Sequence, residues 1–469
     1  MTLTASTNWD VIVIGTGPAG IGGATALAER GLRVLALDEA PAPGGLIWRG
    51  IERSPAARAA LLGPDYLAGR DPVARLRASG ATLAFSTGLW RAEADGTVWL
   101  RGADGISRHH GRQLLLATGA MERPAPCPGW TLPGVTTVGG LQLLLKREGL
   151  LPEGPLVLAG TGPLVYLFAA QCVAAGKRDL TLLDTADPAA MMPALAHLQQ
   201  ALFGKGAGYL TKGLRLLLTL RRAGIVHHTR VRDLRIEAGP EDGLTIDCRI
   251  GRRRRRFEAA RIGLHEGVIP ETHLSRSLGC AHDWSQEAQA FLPRRDTELR
   301  SSLERVFIAG DGGRIGGAMA ALLEGRLAAC GILSRDGRGS ASDAEREARR
   351  LRKEIAAHLA PRPFLDRLYR PRAETLAPPN EAIVCRCEEV RAEDIRAAIA
   401  DGASGPNQIK AFLRTGMGPC QGRMCGPVLS ALCSSERAQA MDDVGMLTVR
   451  DPLRPISVGE LAALDEGDC

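Results

Sequence analysis

The chain has 469 residues, 45% of them hydrophobic and 24% charged, which fits a soluble globular protein of roughly three domains. Its net charge of +7 is spread along the sequence, and only one Phe follows the sharpest basic run, Arg252–Arg256. A surface that tracks phosphates and stacks bases is therefore not indicated, and no nucleic-acid partner is expected. No secretory leader opens the sequence and no apolar run reaches the ~18 residues of a transmembrane segment. The expected compartment is the cytoplasm, with attachment to a membrane through a partner left open. The eleven cysteines then read as metal ligands, redox thiols or buried small side chains, not as a disulfide framework.

Residues 10–40, DVIVIGTGPAGIGGATALAERGLRVLALDEA, predict strand, turn, helix and strand. Gly15, Gly17 and Gly20 form G-x-G-x-x-G, with Ala19 inside the turn. The first glycine permits the tight turn, the second lets a pyrophosphate approach the backbone, and the third allows close helix–strand packing. The helix N-terminus offers free N–H groups to a phosphate. Asp38 ends the second strand at about the 20-residue spacing expected of a ribose-binding acid, with Glu39 as a substitute. Gly45, in the APAPGG stretch that follows, is counted in the same site.

Residues 112–124, RQLLLATGAMERP, predict a strand broken at Thr118–Gly119, where a backbone crossing a cofactor needs a small residue. A second glycine turn lies in residues 155–185, with Gly160 and Gly162 in place, Val165 where the third glycine would be, and Asp184 ending the next strand. It reads either as a nicotinamide-nucleotide site, NADH over NADPH, or as a half that packs without a nucleotide. Arg252–Arg256 reads as a solvated hairpin edge. His265–Glu266 ends an apparent strand of the second domain and is assigned no catalysis. In residues 305–329, RVFIAGDGGRIGGAMAALLEGRLAA, Gly310 and Asp311 sit at a strand end before a helix. Asp311 is expected as a polyol ligand, as the N-cap of that helix, or both.

From about Leu333 the composition turns polar and charged, predicting a linker and a helix stopped by Pro361 and Pro363. Beyond it come two tight cysteine pairs, Cys385 with Cys387 and Cys420 with Cys425, the second in GMGPCQGRMCGP. Four thiolates suit zinc or an iron–sulfur cluster, and the C-x-C chelate is shorter than the two-to-four-residue spacing of zinc ribbons. The glycines around the second pair let amides approach the sulfurs.

The motifs VIVIGTGPAG, LLLATGAMERP and VFIAGD resemble the two-dinucleotide-domain flavoproteins, the family of glutathione and thioredoxin reductases. That resemblance implies FAD at the first turn, on Gly15, Gly17, Gly20, Asp38, Gly119 and Asp311, in a domain split by the second. The cysteine pair such reductases carry is missing after the second strand, which argues against disulfide chemistry. C-x-C with GMGPCQGRMCGP resembles the bacterioferritin-associated-ferredoxin-like [2Fe-2S] domain. With the stretches 128–146 and 264–280, the whole chain is similar to opine oxidase A subunits, to the B subunit of hydrogen cyanide synthase, and to the alpha subunits of D-hydroxyproline and L-proline dehydrogenases.

The implied fold is α/β: two Rossmann-like domains, the second inserted in the first, and a small C-terminal helical domain. The expected boundaries are 1–148 with 292–335 for FAD, 149–291 for the second domain, 336–378 for linker and helix, and 379–469 for the cluster. The resemblance implies an electron-transferring subunit paired with a flavin-bearing oxidase subunit that holds a small amino-acid, opine or amine substrate. NAD or ATP are alternative occupants of the first site, NAD(H) is a candidate at the second, and FMN at a subunit interface is a further candidate. Rival readings are a self-sufficient NADH-dependent reductase and a non-catalytic nucleotide-binding scaffold.

Overall fold

The computed structural model describes residues 7–103, 105–336, 341–462 and 464. The polar start of the chain, the head of the expected linker at 337–340 and the last residues of the expected 379–469 domain lie outside them.

Within the strand Thr7–Ile14 the run Val11–Ile14 is apolar without alternation because both faces of its sheet are covered. Val11 and Val13 pack into one core, with Ile21 and Leu27 of the helix Pro18–Ala28; Ile12 and Ile14 pack into another, with Leu35 and Leu37. Among the described residues this sheet has seven strands. Thr7–Ile14 lies parallel to Val34–Asp38 on one side and to Gly105–Leu116 on the other. Val306–Ile308 returns from far along the chain to pair in parallel with Gly105–Leu116. The helix behind it, Ala318–Arg335, lies so close to Pro18–Ala28 that a Cβ on Gly22 would sit 2.2 Å from the Leu322 carbonyl oxygen.

The second half is a five-stranded parallel sheet in the order Val226–His228, Leu180–Asp184, Leu156–Thr161, Arg261–Glu266, Val135–Thr137. The direction of winding reverses between Leu156–Thr161 and Arg261–Glu266, which makes the carboxyl ends of those strands its switch point. Two expected boundaries move. The sheet recruits Val135–Thr137, before residue 149, because that strand continues the register of Arg261–Glu266. Leu274, Leu278 and Cys280 already pack in the first half's core, so the return precedes residue 292. Arg253–Arg256 lie exposed on an edge strand of a three-stranded antiparallel sheet, as the hairpin reading requires.

The helix Ala341–Leu359 and the short helices Arg362–Leu368 and Ala373–Leu376 lead to the C-terminal unit. There Ala392–Ala400, Pro406–Leu413 and Gly426–Arg437 surround their own core of Ile395, Ile409, Leu429 and Leu432. The unit is fastened to both halves: Trp130 Nε1 donates to the Ile383 carbonyl (2.7 Å) and the Leu453 amide donates to the Trp90 carbonyl (2.7 Å). Among the described residues no helix is long and apolar enough to cross a membrane.

Candidate functional site

A cavity of about 450 Å³ opens at the carboxyl end of the first sheet. Gly15, Gly17, Ala19, Asp38, Glu39, Gly45, Thr118, Gly119 and Asp311 all line it. Gly20 lies behind the wall, where a Cβ would stand 1.8 Å from the Gly15 carbonyl oxygen, so this glycine is required by packing. Gly119 has φ 74° and open space where a Cβ would point. Gly310 is likewise behind the wall, its Cβ direction blocked 2.7 Å away by Ala19 Cβ. These features fit a nucleotide: a bare turn at the start of a helix, space above it, and acids at the strand end.

The three acids are already engaged. Asp38 accepts from the Thr16 amide (2.7 Å), the Thr16 hydroxyl (2.8 Å) and the Ala40 amide (2.8 Å). Glu39 is held by the Arg454 fork at 2.7 and 2.9 Å. Asp311 accepts from the amides of Gly316 (2.7 Å) and Gly317 (3.1 Å), and its burial pushes its pKa upward. It is not the N-cap of the following helix, a position held by Gly317, because a short 3₁₀ turn and an extended segment intervene.

The C-terminal unit brings the four cysteines together in two pairs. Cys425 donates to Cys385, and that bond, followed by the amides of Gly416, Glu388 and Cys387, draws the Cys385 thiol down to about 6 against its burial. The Cys387 thiol, which is free, is hydrogen-bonded with Cys420, and a Cβ on Gly418 would fall 2.2 Å from the Cys387 Cβ. Among the described residues no three His, Cys, Asp or Glu side chains are yet drawn into a ligating set. The donor chemistry nevertheless fits an iron–sulfur cluster: four sulfurs, amides aimed at one of them, and a glycine where no side chain has room. Every described cysteine, these four included, is free; burial pushes Cys127 up to about 12, as expected of an inert thiol.

Gly160 and Gly162 form the turn of the second half, with Gly160 backed against the His265 carbonyl oxygen, 1.7 Å from where a Cβ would stand. Its crevice holds protein. Arg372 pairs with the buried Glu266 (2.7 Å), which also accepts from Thr185 Oγ1 (3.0 Å). Tyr166 donates to Asp184 (2.6 Å) and its ring lies 6.4 Å from that of Tyr369. His265 is buried against Glu122 (2.6 Å).

Residues 9–325 match the pyridine nucleotide-disulphide oxidoreductase family, and residues 383–434 match the BFD-like [2Fe-2S] binding domain. The A subunit of opine oxidase from Rhizobium meliloti (strain 1021) is 60% identical over 98% of this chain and 99% of its own. This chain belongs to the opine oxidase A-subunit family. The HcnB subunit of hydrogen cyanide synthase from Pseudomonas protegens is 33% identical over 97% of this chain and 98% of its own. The crystal structure of L-proline dehydrogenase from P. horikoshii shares the fold, with a TM-score of 0.70 at 17% identity over 97% of this chain and 80% of that one. The opine oxidase A fold thus carries a flavin-type dinucleotide-binding module and an iron–sulfur module in one oxidoreductase chain.

Four further charged wall residues of the first cavity escaped the motifs: Arg49, Glu271, Arg423 and Arg454. Arg423 stands inside the cysteine loop itself, and Glu271 inside the stretch 264–280, so both lay in segments already marked by resemblance. Arg454 had no sequence signal.

Proposed function

We propose that the chain is the electron-transferring subunit of a multi-subunit dehydrogenase acting on the C–N bond of an amino acid, opine or similar amine. A partner flavin-bearing subunit holds the substrate and passes electrons to this chain. The observation that carries the reading is that one loop contains Cys420 and Cys425 and also contributes Arg423 to the wall of the nucleotide cavity. Two cofactor sites that share a wall suit a relay. Two full-length relatives are named as subunits, one of opine oxidase and one of hydrogen cyanide synthase, which supports the class of reaction and a complex of several chains.

A flavin can take electrons as a pair and release them singly, a two-iron cluster exchanges them singly, and this chemistry would be the cofactors' own. The residues supply the rest. Gly15 and Gly17 admit the pyrophosphate of FAD to the N-terminus of Pro18–Ala28, and Asp38 with Glu39 faces its ribose. Thr118, Gly119 and Asp311 bound the space for the remainder. Cys385, Cys387, Cys420 and Cys425 hold the cluster. No residue of the cavity is assigned acid–base work, in keeping with a chain that moves electrons while the partner handles substrate.

The second dinucleotide-binding half works without a nucleotide in this reading, since Tyr369 and Arg372 stand at the carboxyl ends of its strands. That counts against the self-sufficient NADH-dependent reductase. The test of the main reading is iron. Cys420→Ser and Cys425→Ser are each expected to lose iron and the EPR signal of the reduced protein; if both variants keep full iron and signal, the assignment fails.

A further inference from the structure

We propose that Arg423 couples the nucleotide cavity to the four-cysteine site, so that ligand binding in one and electron uptake in the other depend on each other. The inference rests on the reading above, that the cavity takes a nucleotide and the cysteines a cluster. Arg423 lies between Cys420 and Cys425, with its amide donating to the Cys420 carbonyl (3.1 Å). Its guanidinium leaves the loop and reaches the cavity wall, where Nε meets Glu271 Oε1 at 3.4 Å and Nη2 donates to the Leu453 carbonyl at 3.2 Å. Glu271 is in turn fixed to the floor of the cavity: its amide donates to the Gly119 carbonyl (2.9 Å) and its carbonyl accepts from Thr118 Oγ1 (2.8 Å). A continuous bonded chain therefore runs from Thr118–Gly119 through Glu271 and Arg423 to a cluster ligand. At the ribose end, Arg454 of the same C-terminal segment forks Glu39, so the cluster unit closes the cavity at two points.

The sign of the coupling follows from charge. Reduction adds one electron, and so one negative charge, to the cluster, with no bond made or broken. The Arg423 cation favours that state. An anionic nucleotide in the cavity draws on the same cation, so binding lowers the cluster's reduction potential. By linkage, reducing the cluster weakens nucleotide binding by the same factor. If Arg423 merely clamped the two domains, the nucleotide's own charge would still act on the cluster through space and the shift would survive in Arg423→Gln.

The experiment is an EPR-monitored redox titration of the full-length, iron-loaded protein, stripped of nucleotide and then refilled with FAD. The wild-type potential is expected to fall on refilling. In Arg423→Gln the shift is lost, and FAD binds roughly tenfold more weakly, the loss expected for one charged hydrogen bond. Arg423→Lys, which keeps the charge and removes the fork, retains the shift and serves if the glutamine variant does not fold. An unchanged wild-type potential, or a full shift in Arg423→Gln, overturns the coupling. Absence of a cluster signal or of FAD binding in the wild type overturns the functional reading instead.

Discussion

His273 is 3% exposed, and no hydrogen-bond partner reaches its Nε2 among the described residues. Burial first, then the cations of Arg423, Arg276, Arg454 and Lys410, pull its pKa from 6.5 down to about 3. The unfolded chain therefore binds a proton that the folded chain refuses, and stability is lost as pH falls from 6.5 towards about 3. Each unit of acidification in that window costs up to about 1.4 kcal/mol from this one residue. Denaturant unfolding of wild type and His273→Gln across the window checks it: the variant's stability should fall less steeply, and parallel slopes would sink the idea. At this scale the sequence was legible where chemistry is local. Gly15, Gly17 and the four cysteines declare themselves by spacing. Arg423 and His273 do not, because their meaning comes from where a distant unit docks.

Among the elements, the cysteine loop shows how backbone geometry serves a ligand set. Gly418 leaves no room for a side chain beside Cys387, so Gly418→Ala must push the two ligand segments apart. The variant is expected to lose most of its iron while the flavin-type module keeps its melting temperature. Iron content per chain and calorimetry decide the matter, and full iron in Gly418→Ala would show that the loop tolerates a wider path. Strands and turns of both dinucleotide-binding halves were readable because apolar runs, glycine turns and terminal acids recur in a fixed order. The N-cap at Gly317 was not, since Asp311 reaches the amides of Gly316 and Gly317 across a 3₁₀ turn with no sequence signature. Nor was the strand Val135–Thr137, whose three residues follow no period and join the second sheet only through register with Arg261–Glu266.

For the whole molecule, the linker is the unexpected participant. The second half was legible as a fold but not as a site, because its crevice is filled by residues from the far side of the first domain's return, long after its own glycine turn in the sequence. NADH added to the purified, FAD-loaded chain is expected to leave the flavin spectrum unchanged. Bleaching on addition would restore the reductase reading. The same crevice also bears on any dinucleotide in solution. Tyr369 and Arg372 are tethered beside their own seat, which gives them a local concentration in roughly the millimolar range for a short linker. A free dinucleotide displaces them only where its concentration relative to its own Kd exceeds that local concentration relative to the Kd of the tethered contacts.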